Sequence, residues 1–504
     1  MQILPHKDFS VYKINVSLNK KYKYKAYSKI QADRLTKLLC VIEDVNDSSL
    51  SLKEYILAHE YMKIKVKKSI IKAYENKLKI QELPHTLIPI GYCDSYDNMQ
   101  ILNEQFNYHI TDDENYIYLN SDLDTENAFV ALHTRTTSFI IPNSISSELT
   151  DEQKNVAKNI IASTKFMNYI IGGAGCGKTK TVSTIIKHIK YMCIAPTHRA
   201  KTELRGNGLN ATTIHAAYYS QPTTKDKFDV LVVDEVSMGS IQHVKMLLTI
   251  IKKYDTKKVI MLGDDKQLPP IARGSLFQLI DNYPKERLTY NFRARNNRYL
   301  AMYSKWLGDE IIKESPISFA TMKKVISSFK HDSIKLEDVL SFIDNNIDDI
   351  ISNDAKILSF VNDDVVGINK YIITKKLKQS YNMPFHGELR IVTCNDKFKN
   401  FQTGDYVNVR MKDRVIMLNN EPTTLTDYQQ GTDSGYAVTV HKSQSATYKS
   451  VCFYNSYINR NINLNLIYTA ITRAALNLSI HPTETYDDKK IFKMEDRDLV
   501  YHHH

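Results

Sequence analysis

No apolar run in the chain approaches the roughly 18 to 20 residues that a membrane span needs, which excludes a transmembrane helix reading. Cysteine is sparse. Cys40, Cys93, Cys176, Cys193, Cys394 and Cys452 are scattered without a CxxC pair, so neither a disulfide framework nor a zinc site is expected, and a reducing, intracellular setting is. The opening MQILPHKDFSVYK lacks a basic region followed by an apolar core, so no secretory signal is expected. There is no repeat, low-complexity tract or Pro/Gly-rich linker, so any lobes are expected to be joined by ordered chain. His502, His503 and His504 read as the remnant of a purification tag.

The chain has 504 residues, enough for about three domains, each with its own core. At 42% hydrophobic and 24% charged it has the composition of an ordinary soluble protein. Its formal net charge is +11, an excess that suits a polyanionic partner such as nucleic acid. Lys and Arg against Asp and Glu number 18 to 19 over residues 1 to 150 and 49 to 37 over the rest, so the excess belongs to the later part.

Residues 1–148 read as an N-terminal accessory domain, for which an α+β fold is expected. Its first 90 residues are basic and the following 60 acidic. In KKYKYKAY, from Lys20 to Tyr27, the period of two puts lysines on one face of a strand and tyrosines on the other. Such a strand either stacks bases and holds phosphates or is a plain edge strand with its lysines in water. Residues 51–78 have lysine-rich helical spacing, and short strand-like runs lie between Tyr108 and Phe139.

From Leu149 the pattern becomes α/β. Strand-like runs at 169–171, 192–195, 230–233 and 259–262 alternate with helical stretches, and a second set follows at 357–360, 436–440, 451–454 and 476–480. Alternation of this kind predicts parallel sheets with crossover helices, in two domains over 149–295 and 296–501, with a mixed stretch at 296–355.

The segment Gly172, Gly173, Ala174, Gly175, Cys176, Gly177, Lys178, Thr179 reads GGAGCGKT, between a strand-like run and a helical stretch. That order suits a phosphate loop: glycines let backbone amides curl around phosphate oxygens, the helix N-terminus adds a favourable dipole, Lys178 reaches the β and γ phosphates, and Thr179 can ligate Mg²⁺. With Lys180 these residues are the expected nucleotide site. The run LVVDEVSM ends a buried strand with Asp234, suited to the hydrated Mg²⁺, and Glu235, suited to orient and deprotonate water. ATP and Mg²⁺ are therefore the expected substrate and cofactor.

Further segments resemble, in order, the motifs of superfamily 1 helicases. They are LTDEQ with Gln153, APTHRA (195–200), TTIHAA (212–217), GDDKQLPP (263–270), LTYNFRA (288–294), GYAVTVHKSQSA (435–446) and LIYTAITRA (466–474). Their wording is similar to the RecD and Dda branch, superfamily 1B. The resemblance implies two RecA-like motor domains and an ATP-dependent DNA helicase that moves 5′ to 3′ along single-stranded DNA. It implies Gln153 as the adenine-reading residue, although Thr150 and Gln153 also fit a capping box. It implies Gln267 as γ-phosphate sensor and Arg293 and Arg473 as catalytic arginines, and strand contacts from Thr197, His198, Thr213, His215, Pro269, Thr439, His441 and Lys442. Phe292 offers a stacking face for the strand.

Two departures stand out. Ser445 occupies a position where the family usually has glycine, and short spacings leave little room for inserted subdomains: at 216–229, and between Gly404 and Tyr436. An RNA track, or a protein-remodelling translocase recruited through residues 1–148, are alternative readings. The expected partners are single-stranded DNA and duplex junctions, with replication or recombination proteins at residues 1–148, for a monomeric motor. The Lys-, Asn- and Tyr-rich composition resembles that of AT-rich genomes, and a phage source with work in the host cytoplasm is expected.

Overall fold

The computed structural model describes residues 2–5, 12–17, 21–26, 88–89, 108–110, 116–142, 145–221, 227–292, 297–314, 316–394, 397–398, 400–412, 415–454, 456, 463–481 and 491–492. The chain divides into two compact units, one of residues 1–127 with 271–274 and 497–504, the other of 128–270 with 275–496.

In the first unit, Lys21–Ala26 is an edge strand of a three-stranded antiparallel sheet with Gln2–Pro5 and Tyr12–Ser17. The helix expected over 51–78 lies outside the described residues. Of the strand-like runs expected between Tyr108 and Phe139, Tyr108–Ile110 and Tyr116–Leu119 are the strands among the described residues. Residues Asn120–Ala131 form a helix instead, whose last turn, from Ala128, belongs to the second unit. Its Asp122 stands in the first turn, where a carboxylate suits the helix dipole, and Phe129 and Glu126 are buried; packing outweighs local strand propensity there.

The second unit begins its first lobe with helix α1 (Asp151–Ala162), capped by Thr150, and runs through β1 (Met167–Gly172), α2 (Lys178–Ile186), β2 (Tyr191–Ala195), α3 (His198–Gly206), β3 (Ala211–Thr213), α4 (Ile214–Tyr219), β4 (Val230–Val233), α5 (Ile241–Lys253), β5 (Lys258–Gly263) and β6 (Glu286–Leu288). The six strands pair in parallel, in the order β6-β1-β5-β4-β2-β3. Strands β1, β4 and β5 are buried along their whole length, as expected for a sheet covered on both faces. Between α4 and β4 the chain is short, as the spacing predicts, and residues 222–226 lie outside the described set.

The second lobe contains helix α6 (Arg298–Ile312), strand β7 (Ile334–Leu336), strand β8 (Ala355–Ser359) and helix α7 (Asn362–Tyr371). An antiparallel excursion follows: β9 (Leu389–Val392), β10 (Tyr406–Lys412), β11 (Val415–Leu418), β12 (Glu421–Thr423) and β13 (Thr432–Ser434). The chain then resumes with β14 (Ala437–Thr439), β15 (Tyr448–Phe453), helix α8 (Leu464–Ile471) and β16 (Ala474–Ile480). A five-stranded parallel sheet runs β7-β16-β15-β8-β14.

The excursion corrects the expectation of little inserted structure. Its sheet, ordered β12-β11-β10-β9-β13, closes over a small core of its own formed by Val392, Val407, Val409, Ile416, Leu418 and Tyr428. Spacing counted from Gly404 misses β9, which precedes that glycine and pairs antiparallel with β10 and β13 on either side.

Candidate nucleotide and strand site

The phosphate loop joins β1 to α2. Gly175 and Gly177 take left-handed φ values of 77° and 81°, a conformation in which other residues are strained. A Cβ on Gly177 would stand 2.4 Å from Gln153 Nε2, and one on Gly172 2.5 Å from the Leu288 carbonyl oxygen. The loop is thus fitted closely against α1 and β6. Lys178 Nζ donates to the carbonyls of Gly172 (2.7 Å) and Gly173 (3.1 Å), so its ammonium lies over the loop. Thr179 follows in the first turn of α2; Ala174 and Cys176 are buried, and burial pushes the Cys176 thiol up to about 11. Lys180 is exposed, 3.9 Å from Glu148.

Gln153 serves the capping box. Its Oε1 accepts from Thr150 N (3.1 Å), its own N donates to Thr150 Oγ1 (3.4 Å), and its Nε2 is left turned toward Gly177. One buried glutamine therefore both starts α1 and faces the phosphate loop. Phe292 lies here too: its N–H donates to Gly175 O (2.9 Å) and its ring meets Tyr290. The structure places this aromatic beside the phosphate loop, 3.7 Å from where a Cβ on Gly177 would stand. Arg293 lies outside the described residues.

At the end of β4, Asp234 Oδ1 accepts from Glu235 N (2.9 Å). Close packing and the adjoining Glu235 carboxylate push the Asp234 carboxyl up to about 7, with Lys178 opposing. A carboxyl raised in this way, as that of Asp234 is, suits a cation. A threonine hydroxyl and a carboxylate are hard oxygen donors of the kind Mg²⁺ takes. Among the described residues no group of three or more His, Cys, Asp and Glu side chains could hold a metal unaided, so such an ion would depend on phosphate and water for its remaining ligands.

The second lobe meets this site through α8. Asn465 Nδ2 donates to the Lys266 (3.2 Å) and Gln267 (3.4 Å) carbonyls, Thr469 Oγ1 accepts from Leu268 N (3.0 Å), and the Tyr468 hydroxyl donates to Asp264 Oδ2 (3.4 Å). Asp264 Oδ2 also accepts from Gln267 Nε2 (3.1 Å), while Gln267 Oε1 is buried without a hydrogen-bond partner. Arg473 is the largest fully buried side chain among the described residues, which rules out a casual surface charge. Its guanidinium donates to Thr469 O (3.0 Å), Ala446 O (3.4 Å) and Thr472 Oγ1 (3.1 Å), so it ties α8 to the turn after β14. Sequence reasoning passed over Tyr468, Thr469 and Asn465; the signal available was their position in the apolar run that ends at Arg473.

The expected strand contacts fall on helix starts and one turn. Thr197 caps α3 by accepting from Ala200 N (3.1 Å), and Thr213 caps α4 by accepting from Ala216 N (3.1 Å). His198, lowered by burial and by Lys201, has Nδ1 3.3 Å from Lys201 Nζ. Exposed His215 meets the His243 ring edge to face at 5.4 Å. Thr439 Oγ1 accepts from Lys442 N (3.2 Å), Lys442 pairs with Asp433 (2.9 Å), and His441 tilts against Phe360. Pro269 is partly exposed beyond Leu268.

A second cross-lobe cluster had no signal in sequence. Arg199 of α3 lies 5.4 Å and 5.8 Å from the ring centroids of Tyr406 and Tyr448, whose hydroxyls are 3.0 Å apart, and the buried Lys356 Nζ lies 4.5 Å from the Tyr406 ring. Burial and Arg199 hold the Lys356 ammonium well below its usual range.

A family model described as an AAA domain matches residues 148–318. The RecBCD enzyme subunit RecD of Buchnera aphidicola subsp. Acyrthosiphon pisum (strain APS) is 27% identical, over 68% of this chain and 73% of that protein. Its counterpart from Buchnera aphidicola subsp. Schizaphis graminum (strain Sg) is 22% identical, over 73% and 78%. The chain is also similar to the crystal structure of Pif1 helicase from Bacteroides in complex with ADP-AlF3 and ssDNA, with a TM-score of 0.47 and 17% identity over 68% of this chain and 94% of that one.

Proposed function

We infer that this chain, a superfamily 1 helicase similar to RecD, couples ATP hydrolysis to unwinding of duplex DNA. The observation that carries the reading is the placement of α8: a second-lobe helix bonded directly to Asp264, Lys266, Gln267 and Leu268 beside the phosphate loop. A nucleotide site flanked by two lobes lets the loss of one phosphate change how the lobes meet.

In the mechanism, the loop amides and Lys178 hold the β and γ phosphates. Gln153 Nε2 and the Phe292 ring bound the loop on the base side. Thr179 and Asp234 would hold a Mg²⁺ ion, which when bound supplies positive charge against the phosphates. Glu235 orients the attacking water and takes its proton. Gln267 and Arg473 respond to the γ-phosphate and carry that response to the strand. Thr197, His198, Thr213, His215, Thr439, His441 and Lys442 grip the sugar-phosphate backbone without reading sequence, which suits the positive balance of residues 151–504. Movement is 5′ to 3′, by a monomer, with residues 1–148 recruiting replication or recombination proteins in a phage-infected host.

Tailed duplexes test this. The wild-type chain unwinds a duplex bearing a 5′ single-stranded tail, Lys178→Ala does not, and unwinding from a 3′ tail alone overturns the polarity. Matched single strands of DNA and RNA compared as stimulators of ATP hydrolysis identify the track.

A further inference from the structure

We propose that Ser445 is a positioning residue for the hydrolytic carboxylate: its hydroxyl, carried by the second lobe, holds Glu235 of the first lobe, so that ATP turnover depends on the lobes being together. The proposal rests on the reading of Glu235 as the group that activates water.

Ser445 Oγ donates to Glu235 Oε1 at 3.1 Å, between residues 210 positions apart. Both ends of this bond are conformationally unusual. Glu235 has φ 52° and ψ 45°, and Ser445 has φ 61°, the left-handed region that glycine adopts without penalty. Strained residues of this kind persist where the surroundings over-determine them, and they cluster at functional sites. Glycine at position 445 would relieve the strain but could not donate to Glu235.

The surroundings of Ser445 hold it firmly. It is buried, as are Ser443 and Gln444 before it and Ala446 after it. Ser443 N donates to the Thr439 carbonyl, Ala446 N to the Ser443 carbonyl, and Arg473 to the Ala446 carbonyl. The hydroxyl therefore has a defined position relative to the second lobe. At the other end, Glu235 is anchored through its N–H to Asp234 Oδ1 and stands at the end of β4. A carboxylate on a flexible side chain loses rotational freedom when one oxygen is held, which favours a single orientation of its remaining lone pairs toward water.

The same turn begins with Thr439, His441 and Lys442, the expected strand contacts. Only Ser443 and Gln444 separate Lys442 from Ser445. Occupation of that turn by a nucleic-acid backbone and orientation of the hydrolytic group are thus carried by one short, hydrogen-bonded segment, which gives strand-stimulated hydrolysis a direct physical route.

The experiment measures ATP hydrolysis by the full chain with saturating single-stranded DNA, for wild type, Ser445→Ala, Ser445→Gly and Ser445→Asn. Glycine and asparagine both tolerate the left-handed conformation, and asparagine restores a donor. The expected result is a kcat lower by about tenfold in both the alanine and glycine variants, as for loss of one oriented contact to a catalytic group. KM for ATP and affinity for the strand stay within about twofold, and the asparagine variant recovers part of kcat. A glycine variant with wild-type kcat overturns the proposal, because relief of strain would then outweigh loss of the hydroxyl. So does a loss confined to KM or strand affinity. Glu235→Gln separates the two levels: hydrolysis retained in that variant overturns both readings, whereas hydrolysis lost there but unchanged in Ser445→Gly overturns the Ser445 proposal alone.

Discussion

The hydroxyl of Tyr468, in the second lobe, donates to Asp264 Oδ2 at 3.4 Å in the first lobe, and the same oxygen lies 2.9 Å from where a Cβ on Gly173 would stand. One phenol therefore bonds to the segment containing Gln267 and stands beside the phosphate loop. Burial pushes the Asp264 carboxyl up, with Lys178 opposing, so each donor to it matters.

Tyr468→Phe removes that donor while keeping the ring. Stability is expected to fall by about 1 kcal/mol, the worth of one modest hydrogen bond. ATP turnover is expected to fall by about tenfold, since the two lobes lose a contact at the phosphates. Thermal melting and phosphate release measured on one preparation separate the two effects.

Gly177→Ala is expected to abolish tight nucleotide binding. The new methyl would be built at φ +81° and 2.4 Å from Gln153 Nε2. The left-handed backbone alone costs roughly 1–2 kcal/mol, and the clash displaces Gln153 from its cap. Titration with a fluorescent ATP analogue should show affinity lower by more than about tenfold.

Stability is expected to depend on pH through His243. Its Nδ1 accepts from Ser240 N (3.2 Å) in the cap of α5, and burial, together with His215, lowers it to about 4. The unfolded chain therefore takes up this proton near pH 6.5 and the folded chain only near pH 4. The contribution is favourable above pH 6.5 and is lost progressively as pH falls toward 4. His243→Gln keeps an acceptor for the cap and should flatten the decline in Tm between pH 7 and pH 4.5.

Arg199→Ala should loosen the contact between α3 and the second lobe. The guanidinium sits over Tyr406 and Tyr448, an arrangement worth about 2 kcal/mol when shielded from water. The expected outcome is a lower Tm and a higher concentration of single-stranded DNA for half-maximal ATPase stimulation. Arg199→Lys should restore only part of this, because an ammonium lacks the planar face.

The phosphate loop, the acid pair after β4 and the parallel strands were legible because their signals are local. Glycine spacing, a buried apolar run and a following helical stretch all lie within a few tens of residues. The helix Asn120–Ala131 was not legible, because its pattern of buried residues is set by packing. Neither was the excursion, whose strand β9 is recognisable only through its pairing with β10 and β13. That Phe292 neighbours Gly177 was not legible, because no local spacing links the two.

By itself the sequence determined the glycine loop between strand and helix, the acid pair after a buried strand and the parallel α/β alternation, since backbone conformation and periodicity are written in adjacent residues. Only the tertiary structure decided that Ser445 reaches Glu235, that Tyr468 reaches Asp264 and that Arg199 enters a tyrosine pair. Those contacts join residues some 200 positions apart, and their distances are set by how the side chains of two lobes pack, which no local spacing encodes.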